Sequence, residues 1–175
     1  MRRLTAAVVL GALALAPAAC KRSAKHELPE AALELRSVVP VDGPDADLQL
    51  VRGFHSLEGN PWRWTEGKFS VILRPPPGST LEGAQLELKL NIPDVVFQQL
   101  GSVTLSATAG GILLAPEKYT AAGTYVYTRS VPASVLAGDS VSIEFATDKA
   151  IPAGKIEKRE LALIVTSVGL VSISK

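Results

Sequence analysis

A single cysteine, two histidines and an almost even charge balance leave this 175-residue chain little catalytic or metal-binding equipment. Cys20 alone cannot close an intramolecular disulfide or supply the clustered thiolates of a structural zinc site. His26 and His55 are the only imidazoles. No G-x-S-x-G frames a nucleophile for either of them. His55 with Glu58 offers two metal ligands at i and i+3, where a catalytic site holds three in ordered spacing. Lys and Arg number 18 against 17 Asp and Glu, and without Arg2 and Arg3 the balance is 16 to 17. That lacks the positive surplus needed to neutralise a run of phosphates, which argues against nucleic acid as a partner. The glycine pair at Ala109–Gly111 is not followed by Lys-Ser/Thr, so no phosphate loop is present. The apolar run from Ala6 to Ala16 is cut by Pro17 and falls short of the ~20 residues of a membrane-spanning helix.

What that opening does contain is ordered. Two arginines, the apolar run, small residues, then Cys20 and the basic pair Lys21-Arg22 give the layout of a bacterial secretory signal. Ala18-Ala19-Cys20 resembles the end of a bacterial lipobox, although Leu15 lies two positions earlier than the leucine of that motif. The resemblance implies cleavage before Cys20, with residues 1–19 as signal peptide, and lipidation of the cysteine. Ordinary cleavage after Ala16-Pro17-Ala18 is the alternative. Each buried acyl CH₂ contributes ~0.8 kcal/mol, so several chains anchor a protein without a spanning helix. Lys21 stands where such lipoproteins carry Asp for inner-membrane retention, which implies an envelope protein lipid-anchored at the outer membrane.

Residues 20–32 are polar with no sustained period and read as the lipidated N-terminus and a tether. From residue 33 to 175 the dominant period is two. Leu86, Leu88, Leu90 and Ile92 alternate with Glu87, Lys89 and Asn91, and the same pattern recurs at Val103 and Leu105 and at Val141, Ile143 and Phe145. Pro/Gly clusters at Arg74–Ser79, Ala109–Gly111, Ala121–Gly123, Leu136–Asp139 and Ile151–Gly154 punctuate these runs. The run from Leu161 to Ile173 is apolar on both parities, as in a strand covered on two sides. Such runs at such spacing predict an all-β fold, an antiparallel sandwich.

Both tryptophans lie in "NPWRWTEGKF". Trp62 and Trp64 share one parity and Phe69, Val71 and Leu73 the other, so the pattern predicts a hairpin turn over Thr65–Lys68 with Gly67 at positive φ. Trp64 is then expected opposite Phe69 in the core. Trp62, beside the loop Leu57–Asn60, reads either as the rim of the core or as a platform for a ligand, with His55 and Glu58 near it. Glu58, Glu66, Asp94, Asp139 and Asp148 fall in expected turns, with nothing to pair two of them as a glycosidase requires. No catalytic residue, metal or cofactor is expected.

Gly53-Phe54, Arg63-Trp64-Thr65, Arg159-Glu160-Leu161 and Gly169-Leu170 together resemble a bacterial jelly-roll-type β-sandwich domain found alone or attached to envelope and glycosyltransferase-type proteins; Ala162 stands where that family has Gly. The resemblance implies a jelly-roll-like fold. Arg159 and Glu160 read as a sheet-end contact or as groups recognising a partner. The resulting expectation is a non-catalytic envelope module, structural or for protein interaction, with glycan binding as the alternative.

Overall fold

A computed structural model describes residues 34–59 and 61–173. The signal, Cys20 and the tether lie outside the described residues. Within them the fold is an antiparallel β-sandwich, as the period-two runs predict. The strands are β1 (Val38–Pro40), β2 (Leu50–Phe54), β3 (Arg63–Leu73), β4 (Ala84–Ile92), β5 (Val103–Ala109), β6 (Ile112–Tyr119), β7 (Gly123–Val131), β8 (Val141–Thr147) and β9 (Ile164–Ser172). Two short helices intervene, α1 (Ser79–Glu82) and α2 (Asp94–Leu100). One sheet runs β7-β4-β9, with β1 and the start of β3 on the far side of β9. The other runs β6-β5-β8-β3-β2.

The alternating residues meet between these sheets. Leu86, Leu88, Leu90 and Ile92 of β4 face inward with Val103, Leu105, Val141, Ile143 and Phe145, all buried. Burying one such side chain contributes about 1.5–3 kcal/mol. Phe69 stacks on Phe145 with ring centroids 4.8 Å apart, and Phe54 meets Phe69 edge-on at 5.3 Å. Tyr127 on β7 reaches Phe145 from the opposite sheet at 6.5 Å.

β3 corrects the hairpin expected at Thr65–Lys68. It is one unbroken strand of 11 residues. Its first two residues pair with β9 and Lys68–Leu73 pair with β8, so it passes from one sheet to the other. Trp64 is registered against Ile164, not Phe69. The change in apolar parity marks this crossing, where side chains on both faces meet protein. Trp64, Thr65 and Gly67 are accordingly all buried. Glu66 lies in the strand and Asp94 opens α2, so neither occupies the turn expected for it. Arg159 and Glu160 precede β9 in a loop rather than beginning the strand.

The edge formed by β6 and β7 is closed by side chains. Arg129 donates to the Ala115 and Pro116 carbonyls, pairs with Glu117, and lies 4.4 Å from the centroid of the Tyr127 ring. The Tyr127 hydroxyl donates to Ala115 O at 2.9 Å. An inward-pointing charge on an edge strand, together with Pro116 in β6, blocks pairing with a further strand. Burial pushes the Tyr119 phenol, whose oxygen has no hydrogen-bond partner among the described residues, well above the usual tyrosine range.

Candidate functional site

Two neighbouring regions hold the polar chemistry of the domain. The first is a clasp between the loop after β2 and the loop before β9. Arg159 pairs with Glu58 on one side and Glu157 on the other. The His55 Nε2–H donates to the Glu160 carbonyl at 2.7 Å, which fixes the proton on Nε2. The Glu160 carboxylate accepts the Gly67 N–H at 2.7 Å. Gly67 does not have positive φ; its missing side chain is what matters. A Cβ there would lie 3.0 Å from Glu160 Oε1 and 3.2 Å from Ala150 Cβ, so a side chain at this position would crowd the carboxylate by a few tenths of an ångström.

Three of the sequence-selected residues belong to this clasp. His55 and Glu58 hold the loop that carries Glu160. Trp62, half-buried against the core, forms a bridge with Glu58 and lies beside Gly59. Trp64 and Phe69 are core residues. Arg63, next to them, is held by the Val41 carbonyl at 2.8 Å and by Asp47 at 2.8 Å.

The second region is the outward face of the β5-β8-β3-β2 sheet. Cross-strand partners share a face. Arg52, Ser70, Glu144 and Thr108 are successive partners on β2, β3, β8 and β5, and Leu113 of β6 completes the row. Strands spaced ~4.8 Å apart make this row about 19 Å long. Lys68, Ala146 and Ser106 form a second row beside it. The small side chains of Ala146, Ser106 and Thr108 lie among the long ones of Arg52, Lys68 and Glu144, and the depression between them forms a trough.

The trough has two basins that share Lys68. One, of about 300 Å³, is lined by Arg52, Ser106, Thr108, Glu144 and Ala146. The other, of about 470 Å³, extends over Glu66, Gly67, Thr147, Asp148 and Glu160. Several groups in the second are already engaged. Asp148 accepts the Thr104 N–H at 2.7 Å, and Lys149 donates to the Leu100 and Ser102 carbonyls. In the first basin the side chains of Arg52, Lys68 and Glu144 have no hydrogen-bond or ion-pair partner among the described residues. Among those residues no group of three His, Cys, Asp or Glu side chains is arranged to hold a metal ion.

Sequence reasoning missed the trough because each row is assembled from four or five strands. Only one signal was available. The outward positions of β5, Thr104, Ser106 and Thr108, are all hydroxylic.

No protein-family model and no curated protein sequence matches this chain. Among solved structures, it is similar to the CBM36-1 domain of a multidomain xylanase from the hindgut metagenome of Trinervitermes trinervoides, with 11% identity and a TM-score of 0.43 over 79% of this chain and 98% of that one. It is also similar to a CBM36 carbohydrate-binding module in complex with calcium and xylotriose, at 10% identity and a TM-score of 0.41 over 76% of this chain and 98% of that one. A third is a structure of CBM51-2 in complex with GlcNAc and INT domains from Clostridium perfringens ZmpB, at 12% identity and 0.38 over 78% and 28%. Likeness at this level is too slight to carry ligands or site residues across to this chain.

Proposed function

We propose that residues 34–173 form a non-catalytic binding module whose ligand is a glycan lying across the strands in the trough. The observation that supports this is the basin in which Arg52, Lys68 and Glu144 surround the hydroxyls of Ser106 and Thr108. Sugar hydroxyls both donate and accept, so a guanidinium, a carboxylate and the hydroxyls of Ser106 and Thr108 offer each of them a partner. A built site of this kind orients its ligand by a few placed polar groups.

The acids of the trough favour binding over hydrolysis. Asp148 and Glu160 accept backbone N–H groups. Glu66 is displaced by four residues along β3 from Ser70, the partner of Glu144. That stagger is ~13 Å at the rise of a strand. A glycosidase pair stands ~5 to 9.5 Å apart.

Glycan-array screening with the full chain tests the proposal. Ser106→Ala and Thr108→Val should weaken retention of whichever glycans bind, at an unchanged unfolding midpoint. Retention of no glycan, or equal retention by both variants, would overturn it. Exposed Leu57 and Ile156, on the two clasped loops, favour protein contact within the envelope as a second reading. Retention of one envelope protein by the wild type and not by a Leu57→Ser/Ile156→Ser variant would select that reading.

The proposal includes a lipid anchor on Cys20 at the outer membrane, supported by Ala18-Ala19-Cys20 behind the apolar run. Cys20→Ser should move the protein from the detergent phase to the aqueous phase. A mature wild-type mass with no acyl increment would rule the anchor out.

A further inference from the structure

The trough carries two cations that the fold does not use. Arg52 and Lys68 are diagonal neighbours on adjacent strands, since Arg52 is registered against Ser70 and Lys68 lies two residues along β3. Diagonal positions on a sheet are ~7 to 8 Å apart, within reach of long side chains. Neither has a carboxylate within 4.0 Å among the described residues, whereas Arg63, Arg74, Arg129 and Arg159 all have one. Like charges so placed repel each other, and Glu144, diagonal to Lys68 on β8, is the one carboxylate of the two rows.

The backbone around them is specialised as well. The register of β2 against β3 shifts on both sides of Arg52. Bulges of this kind re-aim a side chain. Gly53 follows with φ 74, and a Cβ on it would lie 2.1 Å from the Lys68 carbonyl oxygen. Glycine at this one position lets β2 press on β3 at Lys68 and holds the two cations on one bank of the trough.

We propose that the glycan taken by this trough is acidic, and that a carboxylate on it sits between Arg52 and Lys68 while its hydroxyls reach Ser106, Thr108 and Glu144. The inference rests on the glycan reading of the trough and names the class of sugar. The planar fork of Arg52 matches a carboxylate in two parallel hydrogen bonds, and Lys68 adds a point charge beside it. Glu144, across Ser70 from Arg52, is the one negative group of this row and sets the far limit of the anion's position.

The test compares oligogalacturonate with its carboxyl-reduced, neutral counterpart of the same length, titrated calorimetrically into the full chain in detergent. The acidic probe should bind at least tenfold more tightly, and Arg52→Gln/Lys68→Gln should abolish that preference. Glu144→Gln should strengthen binding of the acidic probe, an effect that a merely structural loss would not produce. Equal binding of the two probes overturns the acidic assignment and leaves the glycan reading intact. Failure of both probes, together with a blank glycan array, overturns the reading itself and this inference with it.

Discussion

The clasp and the trough adjoin each other on one domain and use the same residue types, yet they spend their charges differently. In the clasp, Arg159 is taken up by two glutamates, Glu160 by a backbone N–H and the His55 ring by a backbone carbonyl. In the trough, the side chains of Arg52, Lys68 and Glu144 have no partners among the described residues. Charges that face each other build a structure, while charges that face solvent in a shaped depression are free for a ligand. The residues selected from sequence as ligand contacts sit on the building side, and the free ones lie on the plain alternating strands.

Perturbing the core beneath the clasp should have the largest effect. Trp64→Ala is expected to cost about 3–5 kcal/mol, as for a buried aromatic truncation. Trp62→Ala should cost distinctly less, because its indole is only half-buried. Denaturant unfolding of the two variants measures this, and equal costs would erase the distinction between core and rim.

Gly67→Ala probes the joint between the two regions. Its methyl group pushes on Glu160 Oε1 and Ala150 and weakens the part-buried hydrogen bond between that carboxylate and the Gly67 N–H, at a cost of about 0.5–1.5 kcal/mol. A thermal midpoint unchanged from wild type would show that Glu160 is dispensable to the clasp.

The trough should respond in the opposite way. Arg52→Gln/Lys68→Gln removes repulsion between exposed cations and should leave stability within about 0.5 kcal/mol of wild type, or slightly above it. A marked loss in denaturant unfolding would mean that these charges support the fold after all.

The smallest effect is one of pH. The side-chain hydrogen bond from Arg159, with its charge, holds the Glu157 carboxyl below the ordinary glutamate range. A depressed folded-state pKa stabilises above the unfolded value of ~4.3, and the contribution is lost as pH falls through the depressed value. Glu157→Gln should therefore flatten only the acid limb of the stability profile, measured by thermal unfolding from neutral pH downward. A change confined to neutral pH would contradict the assignment.

How legible this was in the sequence depends on the range of each signal. Leu86 to Ile92 announce a strand because the alternation is local and one face is buried. The seven residues of α2 were missed, since "DVVFQQL" is too short to establish a helical period. Gly67 reads as a turn residue because a glycine at a change of parity usually is one; here a carboxylate 93 positions away occupies the space beside it. The three tyrosines, Tyr119, Tyr125 and Tyr127, gather at the edge formed by β6 and β7, where Tyr119 and Tyr125 lie 4.6 Å apart between ring centroids. Nothing in their spacing signals an inter-sheet joint. The trough was the least legible, since register between distant strands is a property of the assembled sheet.

The passage of β3 through both sheets also governs how the molecule opens. A sandwich whose sheets are joined only by loops can release one of them while the other persists. Here the same strand supplies the Trp64 register to β9 and the Phe69 and Val71 registers to β8, so fraying of either sheet must disrupt the other. Native-state amide exchange should report this as one cooperative unit. The N–H groups of Thr65 and Val71 should exchange with the same opening free energy despite belonging to different sheets, while those of the three-residue β1 exchange sooner.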